Sequence, residues 1–317
     1  MTARVRLRRY LSAVATLLIV AACGGSGGGL PPVVTTPPPP TTTPPTPPTN
    51  VNISNPSLLS LDNSAIAPGG ALNLVWSDEF DASQLDPEVW YFETGDGSQY
   101  GIPGWGNNEL QYYLPDNAEL DNGVLRITAR QESQGGYNYT SARINTRDRV
   151  AFRYGRIEAR MRLPGGQGLW PAFWMLPQDN VYGTWAASGE IDVMEAVNLG
   201  ASGGNRVVGT IHYGGEFPNN VFSGNEYTVT SSATAEFHEY ALEWDETEMR
   251  WYVDGVLYAM QNSWYTAGAP FPAPFNERFH ILFNVAVGGN FPGAPNGSTV
   301  FPVTMEVDYV RVYSGDP

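Results

Sequence analysis

The sequence predicts an all-β fold, two antiparallel sheets packed face to face, and three observations carry that reading. Apolar and polar residues alternate with a period of two through most of the folded stretch, as in Val124–Ala129 and again over Tyr154–Leu163. Turn formers are abundant, with 35 glycines and 26 prolines among 317 residues. The stretches that read as helix are all short, which leaves sheet against sheet as the way to bury the apolar faces. Apolar residues make up 42% and charged residues 15%, the balance of a folded, weakly charged body.

The chain starts with Arg4, Arg6, Arg8 and Arg9, then an apolar run from Leu11 to Ala22 that is too short for an ordinary membrane span. It ends in Val20-Ala21-Ala22-Cys23 and glycines follow. This resembles a bacterial lipoprotein signal, in which cleavage before Cys23 leaves a lipidated N-terminus. A plain secretory peptide cleaved near Ala22 is the alternative. The expectation is a signal peptide over 1–22 and an exported, lipid-anchored protein, otherwise a secreted one. Any membrane association would run only through that anchor. Cys23 is the sole cysteine, so no disulfide framework exists.

Residues 23–50 hold the lipidation-site cysteine and a Gly-, Pro- and Thr-rich linker whose composition favours extended, unpacked chain. Residues 51–70 are uncommitted, either a further spacer or a segment covering a sheet edge. The catalytic domain is expected over 71–317, opening with a strand-like run from Leu72 to Phe80. Asp121-Asn122-Gly123 turns the chain into the strand Val124–Ala129. Asp254-Gly255 suits the tight turn of a hairpin joining Met249–Val253 to Val256–Met260. Phe279–Val287 and Val303–Tyr313 read as long strands.

Charge and residue inventory exclude several function classes. The net charge of −15 opposes phosphate, so no nucleic-acid partner is expected. No lysine occurs, which removes Schiff-base chemistry and a lysine-bearing phosphate loop. The three histidines, His212, His238 and His280, sit in unlike segments and do not suggest a zinc set.

Chemistry concentrates in Glu190-Ile191-Asp192-Val193-Met194-Glu195. On a strand, Glu190 and Asp192 point one way while Ile191 and Val193 point into a core. Glu195 lies five residues from Glu190, so strict alternation would send it to the wrong face. One extra residue, most economically a bulge at Met194, restores it. Three acids then share one surface, and like charges raise at least one pKa. Trp170, Trp174 and Trp185 lie just upstream, and rings beside carboxylates suit a sugar acetal. Carboxyl groups about 5–5.5 Å apart give retention and a gap of roughly 6.5–9.5 Å gives inversion. Long side chains converging from one bulged strand favour retention. The alternating stretch Tyr154–Leu163 puts Arg156, Glu158, Arg160 and Arg162 on one face, which either lines a groove beside Glu190–Glu195 or faces outward.

These residues carry a resemblance. Glu190–Glu195 is similar to the catalytic signature of glycoside hydrolase family 16 in its bulged, laminarinase-like form. Supporting segments are Trp76–Phe80, Trp105–Gln111, Tyr154–Arg160, Leu169–Leu176, His212-Tyr213-Gly214, Asn284–Gly289 and Asp308–Tyr313, so the likeness spans about residues 70–315. It implies a β-jelly roll with a substrate cleft across a concave sheet. Glu190 would be the nucleophile, Glu195 the general acid and then base, and Asp192 the group that tunes the nucleophile. Trp170 and Trp174 would wall the cleavage point, Asn107 and Arg156 would contact sugars on the non-reducing side, and His212 would lie toward the leaving group.

The resemblance also implies a structural calcium, with Glu79, the Gly123 carbonyl and Asp308 as ligands, and no cofactor for the reaction. The expected activity is that of a monomeric, retaining endo-1,3-β-glucanase acting on laminarin-like β-glucan. Alternatives are a β-glucan transglycosylase, a hydrolase of mixed-linkage β-1,3-1,4-glucan, and a surface carbohydrate-binding protein without turnover.

Overall fold

The computed structural model describes residues 59–316. The signal and linker expectations, Cys23 included, lie outside the described residues. Among those described, strands fall into a nine-stranded sheet, an eight-stranded sheet and one small two-stranded pair. The larger sheet runs, in spatial order, Leu59–Asp62, Val150–Arg153, Phe279–Val287, Leu169–Pro177, Glu190–Glu195, Arg206–Tyr213 and Val221–Thr228. Arg143–Asn145 adds to Phe279–Val287 and carries Tyr91–Glu93 on its other side. The second sheet runs Val256–Gln261, Met249–Val253, His238–Trp244, Gly155–Arg162, Val303–Ser314, Val124–Ala129 and Ala118–Asp121, with Asn73–Asp78 also on Val303–Ser314.

Pairing within the two main sheets is antiparallel except where Leu59–Asp62 lies parallel to Val150–Arg153. Neither sheet closes into a barrel; the two antiparallel sheets are those that the alternation predicts, and the arrangement is the open jelly-roll sandwich that the family resemblance implies. Helical structure among the described residues amounts to three short 3-10 turns at Ser98–Tyr100, Pro103–Gly106 and Pro115–Asn117. The predicted hairpin forms between Met249–Val253 and Val256–Gln261. Its turn residues Asp254 and Gly255 take φ of 50° and 73°, the left-handed pair that a two-residue turn between twisted strands needs.

One continuous core lies between the sheets, with Phe173, Ile191, Met194, Ile211 and Phe283 from one side and Ile157, Leu242, Trp251, Val307 and Val310 from the other. Phe173 stacks on Phe283 with centroids 4.8 Å apart. Strand alternation therefore turns the opposite set of the larger sheet, including Trp170, Trp174, Glu190, Asp192, Thr210 and Asn284, onto its outer face.

Tyr154–Leu163 takes the outward alternative left open by its alternation. Gly155–Arg162 lies in the second sheet, between His238–Trp244 and Val303–Ser314, and never meets Glu190–Glu195. The segment before residue 71 is structural from Leu59 onward. Asp62 meets Arg153 at 3.3 Å, Asn63 Nδ2 donates to the Tyr154 carbonyl at 3.0 Å, and Arg250 Nη2 donates to the Ile66 carbonyl at 2.6 Å.

Candidate active site

The bulge is present and spans Val193 and Met194, so it takes in its expected place. Against Leu169–Pro177, Phe173 faces Met194 and Trp174 faces Asp192, so Val193 is the residue passed over. Against Arg206–Tyr213, Asp192 faces Thr210 and Glu195 faces Val208. Val193 and Met194 both enter the core, and the chain resumes with Glu195 on the side of Asp192. Two groups from neighbouring elements accept this irregularity. Gly209 stands opposite the bulge, where a β-carbon would come 2.4 Å from the Trp251 ring. The Trp251 indole reaches across from the second sheet and donates to the Asp192 carbonyl at 2.9 Å.

Glu190, Asp192, Glu195 and His212 consequently share one face. Glu190 accepts from Trp185 Nε1 at 2.8 Å, and Glu195 accepts from Trp170 Nε1 at 2.8 Å. His212 lies directly across from Glu190 in the ladder. Its Nε2 is 3.6 Å from Glu190 and 3.3 Å from Asp192. Burial, with Asp192 beside it, pushes the Glu190 carboxyl up to about 7, while His212 and the Trp185 indole pull the other way. Burial and the Asp192 charge push Glu195 well above the usual carboxylate range, with the Trp170 bond opposing. For His212, burial disfavours the cation, but the bond to Asp192 and the charges of Glu190 and Asp192 override it and lift the imidazole to about 9. The imidazole thus lies against Glu190 and Asp192, whereas burial and Asp192 favour the protonated form of Glu195. That asymmetry separates a nucleophile from an acid.

The walls are aromatic and braced from behind. Trp174 Nε1 donates to Asn284 Oδ1 at 2.8 Å. Arg143, only 7% exposed, lies between two indoles, its guanidinium 4.5 Å from the Trp105 ring and 4.7 Å from that of Trp174. The same guanidinium is paired with Glu93 and helps lower Glu190. Asn107 is brought to the site, since Gly289 lies between its carbonyl and the Trp170 ring, 3.2 and 3.5 Å from where a β-carbon would stand. Its Nδ2 approaches Glu109 at 3.4 Å, and buried Glu109 also accepts from Gln111 at 2.7 Å. On the other flank Trp185, His212 and Phe222 form a ladder with centroids 5.6 and 5.7 Å apart. The sequence reading assigned no role to Arg143 or Trp251, named Trp185 only among the rings upstream of the acids, and named Asn284 only within a supporting segment. The sequence signal for Arg143 is slight, a cation between the two apolar residues Ala142 and Ile144.

The profile described as "Glycosyl hydrolases family 16" matches residues 106–310. The chain belongs to that family. It is 42% identical to a β-glucanase of Rhodothermus marinus over 81% of this chain and 90% of that protein. It is 46% identical to glucan endo-1,3-β-glucosidase A1 of Niallia circulans over 76% of this chain, although the match spans only 38% of that longer protein. The crystal structure of the laminarinase catalytic domain from Thermotoga maritima superposes with a TM-score of 0.70 at 39% identity, covering 78% of this chain and 99% of that one. Membership makes the chain a glycoside hydrolase.

Two expectations drawn from the family likeness are corrected. Arg156 does not line the cleft. It lies on the outer side of the second sheet, bonded to Glu158 at 2.7 Å, Glu239 at 2.8 Å and Glu243 at 3.2 Å, and so its donors are consumed within a buried charge network. The proposed calcium ligands do adjoin one another through Val303–Ser314, because Val310 pairs with Asp78 and Val307 with Leu125. Their side chains do not fit an ion as arranged. Glu79 gives both oxygens to Arg311 at 2.9 and 2.7 Å, and Asp308 is held by Arg160 at 2.6 Å. Among the described residues, the group of three whose ligand atoms could hold a metal is Glu190, Asp192 and His212, mutually within 4.8 Å.

Proposed function

We propose that the protein is a retaining endo-1,3-β-glucanase acting on laminarin-like polymers. The observation that carries the reading is the placement of the two glutamates on one face, with His212 Nε2 3.6 Å from Glu190 and Glu195 held by the Trp170 indole and raised by burial. Protonated Glu195 donates to the glycosidic oxygen as Glu190 attacks the anomeric carbon, releasing the reducing-end fragment and leaving a glycosyl ester on Glu190. Glu195, now a carboxylate, takes a proton from water. That water attacks the same carbon and Glu190 departs. Trp170 and Trp174 supply flat apolar faces for the sugar, and Trp170 also orients the acid through its bond to Glu195. The names of the matched relatives, which specify β-glucan and β-1,3 linkages, support this substrate class.

Early products from laminarin and from mixed-linkage glucan, followed by NMR, test the reading. Mid-sized β-1,3 oligosaccharides released first as β-anomers are expected. Early α-anomers would mean inversion and remove the nucleophile role of Glu190. Products longer than the supplied chains would make transglycosylation the main reaction. Saturable binding without cleavage would reduce the protein to a carbohydrate-binding one. Export with a lipid on Cys23 rests on Val20-Ala21-Ala22-Cys23 alone. Intact mass of the mature protein decides it, an acylated Cys23 supporting the anchor and a free N-terminus near residue 23 the plain secretory route.

A further inference from the structure

We propose that Phe222 is a specificity-determining residue of the cleft, the platform on which the second sugar of the departing reducing-end fragment rests. The proposal builds on the reading of Glu190–Glu195 as the cleavage point. Glu190, His212 and Phe222 stand in one row across three neighbouring strands, His212 opposite Glu190 and Phe222 opposite His212. Residues opposite one another in a ladder project to the same face, so the Phe222 ring shares the face of the catalytic acids. Its centroid lies 5.7 Å from that of His212. Two strand spacings set the backbone of Phe222 about 10 Å from that of Glu190. A pyranose ring is about as wide as one such spacing. A glucan crossing the strands therefore places its first sugar beyond the cleaved bond over His212 and its second over Phe222.

Two further observations leave that ring free for a sugar. Phe222 is 71% exposed on the strand that ends the larger sheet among the described residues. Gly224, the next residue on the same face, has no side chain to cover it. An exposed flat ring gains by covering the C–H face of a sugar. The opposite side of Glu190–Glu195 is built differently. There Trp174 is bonded to Asn284, and Arg143 is packed between the Trp105 and Trp174 rings. In a retaining reaction one half of the substrate stays bonded to the enzyme while the other leaves and water enters. The braced side fits the half that stays, and the shallow side at the sheet edge fits the half that goes.

Kinetics on laminarin, and the cleavage pattern of a laminari-oligosaccharide labelled at its reducing end, test the proposal. Circular dichroism melts establish that the variants fold. Phe222→Leu keeps an apolar contact and removes the flat ring. It should raise KM roughly two- to tenfold, more than it lowers kcat, and Phe222→Tyr should restore the wild-type value. A weaker hold on the second sugar should also move cleavage toward the reducing end, so that labelled glucose increases at the expense of longer labelled fragments. A merely structural role for the ring would not move that pattern. Unchanged KM and pattern in a folded Phe222→Leu would overturn the proposal. So would a shift toward longer labelled fragments, which would put the ring under the other half of the substrate. Phe222→Ser carries the test if Phe222→Leu does not fold. If the wild type cleaves no glucan, the glucanase reading fails, and calorimetric affinity for the oligosaccharide, weakened or not in Phe222→Leu, still decides whether the ring holds sugar.

Discussion

Glu190 owes its charge state to five influences: burial and Asp192 favour the acid, while His212, Trp185 and Arg143 favour the carboxylate. Catalysis as proposed needs Glu190 ionised and Glu195 protonated, so kcat/KM should fall on the acid side as Glu190 gains a proton, in a range reaching up to about 7. His212, lifted to about 9, is charged across that range. Replacing it by asparagine removes a cation beside the anion, raises the Glu190 pKa further, and should move the acid limb to higher pH. A kcat/KM profile on laminarin checks this, and an unmoved limb would remove His212 from the electrostatics of the nucleophile. Trp185→Phe has the same sign and a smaller size, because its bond is partly solvated. A loss of about 1 kcal/mol, roughly fivefold in kcat/KM, is expected near pH 6, shrinking above the limb. This residue was hard to read from the sequence, since a tryptophan five positions before Glu190 in a loop has no periodicity to place it. The three acids were legible because strand alternation and one bulge leave few other arrangements.

On the scale of elements, the bulge was readable from the spacing of the acids, but what holds it was not. Val193 is passed over against Leu169–Pro177, Val193 and Met194 both are against Arg206–Tyr213, and what fixes this lies on other strands: Gly209 opposite, and Trp251 bonded to the Asp192 carbonyl. Gly209→Ala would drive a methyl group into the Trp251 ring, a clash that costs about 1–3 kcal/mol where a well-packed core must shift. The expected result is a lower melting temperature together with a drop in kcat exceeding any rise in KM, since Glu195 is re-aimed rather than the sugar walls. A variant melting as wild type with full kcat would show that the lock is not needed. Alternation also explains the error at Arg156. It states which residues share a face and is silent on which sheet owns the strand, so the outward arginine face of Gly155–Arg162 was as compatible with a groove as with the exterior. The arginine that does serve the site, Arg143, sits on a strand of three residues, too short to show a period. The strand Leu59–Asp62 was likewise hidden, because its pairing is parallel to a partner some ninety positions away. A chain starting at residue 71 loses that strand, the Asp62 pair with Arg153 and the Ile66 carbonyl bond. It should melt roughly 4–8 °C below a chain starting at residue 51, the equivalent of about 2 kcal/mol. Equal melting temperatures would make the segment a spacer after all.

Across the whole molecule, the two sheets hold the catalytic acids in an environment that opposes their ionisation, and stability should record it. Glu195 has a folded pKa well above its ordinary 4.5, with burial as the largest cause. Between those two values the folded protein retains a proton that the unfolded chain has released, so stability falls as pH rises through that window. Below pH 4.5 both states are protonated and the group contributes nothing. Every tenfold difference in proton affinity between folded and unfolded chain is worth about 1.4 kcal/mol. Glu195→Gln keeps an oxygen for the Trp170 indole and removes the ionisation. Its melting temperature should therefore match wild type near pH 4 and exceed it increasingly toward pH 8, while hydrolysis of laminarin collapses. His212 stabilises rather than destabilises, but its contribution also falls with rising pH, over a higher window. Its folded pKa of about 9 lies above its ordinary 6.5, so its contribution is complete below 6.5 and is lost as pH rises through 9. His212→Asn should accordingly be destabilised at pH 6 and converge on wild type above pH 9. A mutant-minus-wild-type difference that rises with pH in both variants, from equality for Glu195→Gln and from a deficit for His212→Asn, would tie the stability deficit to the acids and its partial relief to the histidine. Differences independent of pH would mean that the deficit belongs to packing, and that the charge asymmetry assigned to Glu190 and Glu195 is not what the fold maintains.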